Sequence, residues 1–181
     1  MSHPRAHVVA VPLLLACMAL TPARAGAQQN DASQRQTHEF QVILIRATPG
    51  ELAMPDVPDD AVKALQDIVQ VLRYRHFELI DTAWLRTNDY AHARLGEAGS
   101  LEVELALGPA GADTTIALRH FELDLRRFER DPESGDAVFY GDPETLLASS
   151  FGITVGETVV VGTSRSDGDD EALIVLLTAV K

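Results

Sequence analysis

The sequence predicts an α+β fold, one helix packed on a twisted, mostly antiparallel β-sheet, and three features predict it. Several runs alternate apolar and polar residues with period two, Leu101 to Leu107 (LEVELAL) and Phe121 to Leu125 (FELDL) most cleanly. One segment, Ala61 to Leu72, instead repeats its apolar residues at helical spacing. A final run, Ala172 to Val180, is almost continuously apolar. One dry and one wet face is the mark of antiparallel pairing, whereas a run apolar throughout is covered on both faces.

The elements follow in order. FQVILIRA, from Phe40 to Ala47, is a buried-strand candidate, and the folded domain is expected to begin near His38 and run to Lys181. Three prolines and a glycine in the next fourteen residues force a loop. Asp59 or Asp60 is then placed to cap a helix, with acids at the positive end of its dipole. Val62, Leu65, Val69 and Leu72 recur at spacings of three, four and three, giving that helix one apolar face.

After Arg75 the period changes to two. Phe77 and Leu79 point one way, and His76, Glu78 and Ile80 the other. Strands are also expected at Leu101 to Leu107, where Glu102 and Glu104 mark the wet face, and at Arg119 to Arg127. Glycines and the pairs Asp131-Pro132 and Asp142-Pro143 supply turns between them. Strands around Ile153 and Val160 meet at Gly156-Glu157, and Thr163 to Glu171 reads as a polar loop. The closing run, Leu173 to Val180, is expected at the centre of the sheet with the helix over one face.

The start of the chain has a different character. Arg5 precedes a 13-residue apolar run, Val8 to Leu20, and then Ala23-Arg24-Ala25 and Ala25-Gly26-Ala27 place small residues where signal peptidase cuts. The run is shorter than the ~20 residues a membrane-spanning helix needs. Residues 1–27 therefore read as a signal peptide and residues 28–37 as a flexible polar leader, which predicts a periplasmic or secreted protein without a transmembrane segment. Leu14-Leu15-Ala16-Cys17 leaves open the alternative of a lipoprotein anchored through Cys17.

Charge and composition exclude several classes. The chain has a net charge of −12, and loss of the signal, which holds two bases and no acids, takes it to −14. Nucleic acid is a poor partner for such a chain, and no basic cluster offsets repulsion from anionic lipid. Cys17 is the only cysteine, so a mature chain has no thiol nucleophile or thiolate metal site. There is no phosphate loop, dinucleotide fingerprint, His-Glu-x-x-His or Gly-x-Ser-x-Gly elbow, and no cofactor is expected.

Three weaker constellations remain. Arg75-His76-Phe77-Glu78-Leu79 recurs as Arg119-His120-Phe121-Glu122-Leu123. On neighbouring strands His76, Glu78, His120 and Glu122 would form a zinc set; apart, they would make a wet face with charge pairs. Ser164 in GTSRSDGDDE would display a nucleophile if that stretch is a loop, and its Asp167, Asp169, Asp170 and Glu171 offer carboxylates to calcium without the register of a calcium loop. Trp84 and Tyr90, flanking the turn Thr87-Asn88-Asp89, would line a ligand groove or pack in the core or at its rim.

Leu147 to Val180, and within it Gly156-Glu157-Thr158-Val159-Val160-Val161-Gly162, resembles the terminal β module of bacterial secretin domains. It departs from that pattern at Gly162-Thr163, where secretins have a double glycine, and lacks the Pro-rich lip motif. The chain also resembles uncharacterised exported bacterial proteins. The resemblance implies a secretin-like β module in the envelope; taken with the export signal and the missing catalytic signatures, it predicts a non-enzymatic module that binds a protein partner, an accessory to a secretion or pilus machine. The competing functions are a small hydrolase or metal enzyme using Ser164 or the His/Glu pairs, and a small-ligand carrier.

The signal reading has a direct check. N-terminal sequencing of protein exported by its own host is expected to begin at Gly26 or Gln28; a lipidated Cys17 as first residue would overturn it.

Overall fold

The computed structural model describes residues 36–109, 114–165 and 170–180, with the backbone alone for 163–165. The signal peptide, Cys17, nearly all of the leader and Ser166 to Asp169 lie outside the described residues. Ten strands form antiparallel ladders, with one α-helix among the described residues. The expected single sheet is two four-stranded sheets and a separate two-stranded hairpin.

The first sheet is ordered β2-β1-β10-β9, from β1 (His38–Thr48), β2 (His76–Thr87), β9 (Thr158–Arg165) and β10 (Ala172–Val180). The second is ordered β3-β4-β5-β8, from β3 (Tyr90–Leu95), β4 (Leu101–Leu107), β5 (Thr115–Leu125) and β8 (Glu144–Thr154). Phe40, Val42, Leu44, Val175 and Leu177 on one side and Val103, Leu105, Phe121, Leu123 and Ile153 on the other form one buried cluster, so the sheets stack face to face. The physical reason is area. Four alternating strands have a long dry stripe, and a helix of ten residues, about 15 Å, cannot cover both sheets.

The helix, α1 (Asp59–Ile68), covers the other side of the first sheet. Ala61 and Leu65 are buried against Ile43, Ile45, Phe77, Ile174 and Leu176, with Val62, Val69 and Leu72 packed around them. Leu72 meets this cluster from beyond the helix end. The N-cap is Pro58, with no side-chain cap, so Asp59 and Asp60 lie in the first turn, where their charge still favours the dipole.

β1 and β10 pair along their length, from Glu39 opposite Val180 to Ala47 opposite Ala172. Their residues feed the two cores alternately, which is why both read as continuous apolar runs. Several of the other ladders carry extra residues. In β2, Ile80 is an extra residue, since Leu44 pairs with Asp81 and Ile45 with Leu79. In β5, Arg119 is extra opposite Ala106-Leu107.

Thr163 to Arg165, expected in a loop, belong to β9, with Ser164 opposite Leu173 and Arg165 opposite Ala172. The ladder continues because β10 offers a full-length partner there, and polar residues are admissible on an edge strand.

Truncating Ile174, fully buried between α1 and the first sheet, to Ala is expected to cost about 2–5 kcal/mol. Urea unfolding measures it, and an Ile174→Ala variant as stable as the wild type would show β10 to be peripheral.

Candidate functional site

The four residues considered for zinc are divided between the sheets. His76 and Glu78 lie on β2, opposite Thr48 and Arg46, and Glu78 pairs with Arg46 at 3.6 Å. His120 and Glu122 lie on β5 in the second sheet, where His120 Nε2 is 3.0 Å from the Glu122 carboxylate and Thr145 donates its hydroxyl to Glu122. Each His shares a face with its own Glu, as the alternation requires. The two pairs do not converge, because their strands belong to different layers. Among the described residues no group of three or more His, Cys, Asp or Glu is placed to hold a metal.

His120 and Glu122 belong to the outer face of the second sheet, a field of cross-strand charge. Glu104 lies opposite Glu122 and Glu102 opposite Asp124. Like charges directly opposite destabilise a sheet, and here cations intervene: Arg94 and Arg126 approach Glu102 at 3.8 and 3.7 Å. Partial desolvation, and then a hydrogen bond to Glu104 with the charge of that carboxylate, hold the Tyr90 phenol above the usual tyrosine range.

Trp84 and Tyr90 flank the β2–β3 turn as expected, but both are exposed. The Thr87 hydroxyl organises that turn, donating to the Tyr90 carbonyl and accepting from the Asp89 amide. Neither aromatic lines either of the two cavities considered next.

Those cavities sit at opposite ends of the stacked sheets. At the His38 end a cleft of about 630 Å³ is lined by His38, Asp89, Leu107, Ile116, Arg119 and Val155 among others. At the Arg46 end a smaller pocket of about 200 Å³ has Ile80, Leu101, Leu125, Leu146 and Leu173 as its floor, with Arg46, Glu97, Glu144 and Glu171 around it. Gly96, at φ +75°, turns the chain at its margin and donates its amide to Asp81, 2.9 Å away. Asp81 thereby ties β2 in one sheet to the end of β3 in the other.

Beside this pocket lies the hairpin of β6 (Phe128–Arg130) and β7 (Ala137–Phe139), which forms its own sheet. Phe128 lies opposite Phe139 with ring centroids 5.9 Å apart, and Arg126 stacks over Phe139. The Asp131 carboxylate accepts the amides of Glu133 and Ser134, and those bonds hold it below the usual carboxylate range. Arg130 reaches Glu97 at 3.0 Å and Arg127 reaches Glu144 at 3.2 Å, so two acids of the pocket also anchor the hairpin. Val138 and Tyr140, two residues apart in the chain, remain 53% and 49% exposed.

Sequence reasoning passed over this end of the molecule. The available signal was Ala137 to Tyr140, four apolar residues fenced by Gly135-Asp136 and Gly141-Asp142-Pro143. It is too short for a core strand and too apolar for a solvated turn. Comparison with protein-family models, with curated proteins and with solved structures returns no match.

Replacing both His76 and His120 by Gln is expected to change stability by no more than about 0.5 kcal/mol, the usual range for surface sites. Thermal melts with and without added zinc are expected to coincide for wild type and variant. A zinc-dependent rise in Tm that the double variant loses would reinstate a metal at these positions.

Proposed function

We propose that this chain is a non-enzymatic module of the bacterial envelope, periplasmic or secreted, that binds a protein partner through the end of the domain bearing the β6–β7 hairpin. The observation that carries the reading is the pair Val138 and Tyr140, half exposed on a hairpin outside both four-stranded sheets. Neighbouring exposed apolar side chains mark interaction sites, and tyrosine is over-represented among residues that dominate binding energy. Support for export comes from the first 27 residues, and for an accessory role in a secretion or pilus machine from the secretin-like tail. Among the described residues no helix is long and apolar enough to cross a membrane.

The volume of the cleft at the His38 end favours a second reading, a small-ligand carrier, because about 630 Å³ falls in the range of ligand pockets. Native mass spectrometry of protein from its own host separates the two by the presence or absence of a retained small molecule.

The first reading is tested with a photo-crosslinking amino acid at position 138 in living cells of the host. A product of defined mass is expected from that position and none from Gln66, an exposed residue on α1. With the crosslinker moved to position 140, Val138→Asp is expected to reduce the product at least tenfold. The same products from positions 66 and 138, or none from either 138 or 140, would overturn the reading.

A further inference from the structure

The pocket beside the hairpin restricts the chemistry of what docks there. Its floor is aliphatic, and about 200 Å³ is smaller than the ~300–1,000 Å³ of pockets that enclose a drug-sized ligand. A volume of that order suits one large apolar side chain.

The surround is charged and unbalanced. Arg46 pairs with Glu78, Arg127 with Glu144 and Arg130 with Glu97. Glu171 has no ion pair among the described residues and leaves the surround with a carboxylate in excess. Among the described residues the lining itself therefore holds three acids, Glu97, Glu144 and Glu171, and one guanidinium, Arg46, on a chain whose net charge is −12. The local field favours cations.

The direction of entry decides where the cation sits. A partner's side chain enters tip first, so a lysine would bring its ammonium against leucines and lose hydration without a counter-ion. A leucine-like side chain replaces that hydration problem with apolar contact, and leaves its chain neighbours level with the glutamates.

We propose that this pocket receives one large apolar side chain of a partner protein, flanked in the partner's sequence by lysine or arginine. The proposal rests on the reading of this end as a docking surface and adds the chemistry of the docked segment.

The probe is an acetylated, amidated peptide, Lys-Arg-Leu-Arg-Lys, fluorescently labelled and titrated into the full-length protein. The leucine peptide is expected to bind at least about tenfold more tightly than the same peptide with alanine at its centre, since the extra methyl and methylene groups are buried. Glu171→Gln, at an exposed position, is expected to weaken binding several-fold at low salt. That loss should disappear near 1 M salt, where screening shortens to about 3 Å. Equal affinities for the leucine and alanine peptides would overturn the proposal, leaving only diffuse charge attraction. So would equally tight binding by Glu-Glu-Leu-Glu-Glu or by free isoamylamine. Crosslinking from position 138 without selective peptide binding removes the pocket chemistry and leaves the hairpin reading; selective peptide binding without crosslinking does the reverse.

Discussion

Everything in this domain is arranged around the pairing of β1 with β10. These two strands are the middle of the first sheet, and alternate residues of each enter the helix-side core or the inter-sheet core. A backbone buried on both faces has no water to satisfy its amides and carbonyls, so its hydrogen bonds must be made within the sheet. The uninterrupted register from Glu39–Val180 to Ala47–Ala172 meets that demand. With this ladder in place the other layers become coverings, α1 on one face and the second sheet on the other.

Much of this was legible in the residues, and the limits have physical causes. The apolar continuity of Ala172 to Val180 points to a strand covered on both sides, and the switch in period at Arg75 locates the change from helix to strand. The number of sheets was not legible. Alternation in Leu101 to Leu107 and Phe121 to Leu125 says that one face is dry, and a dry face is satisfied equally by a helix or by another sheet. The end of β9 was hidden for a related reason. Gly162-Thr163-Ser164-Arg165 has the composition of a loop, and only its partner strand makes it a ladder. Periodicity placed each His on the face of its own Glu, but it contains no information about which layer a strand joins, and that decides whether the two pairs meet. The pocket end was the least legible, since its floor is assembled from β2, β4, β5, β8 and β10.

The charged surfaces show two different uses of the same residue types. On the outer face of the second sheet acids oppose acids, and Arg94 and Arg126 offset one of those pairs by approaching Glu102. At the pocket end, arginines bind acids singly, and two of those pairs join the hairpin to the sandwich. Exposed pairs of this kind contribute about 0–1 kcal/mol each. The hairpin is therefore held lightly, and its internal order comes from the Phe128–Phe139 contact, the Arg126 stack and the Asp131 turn rather than from burial in the main core.

The order of the strands has a consequence for how the molecule is made. β1 is first of the ten in the chain and β10 last, so the ladder at the middle of the first sheet joins segments separated by more than a hundred residues. Closing so long a loop places this topology among slow folders. A chain threaded amino-terminus first, off a ribosome or through a translocation pore, has no native partner for β1 on its β10 side until the last strand emerges. Both cores take residues from β10, so neither is complete until the final strand has joined the sheet.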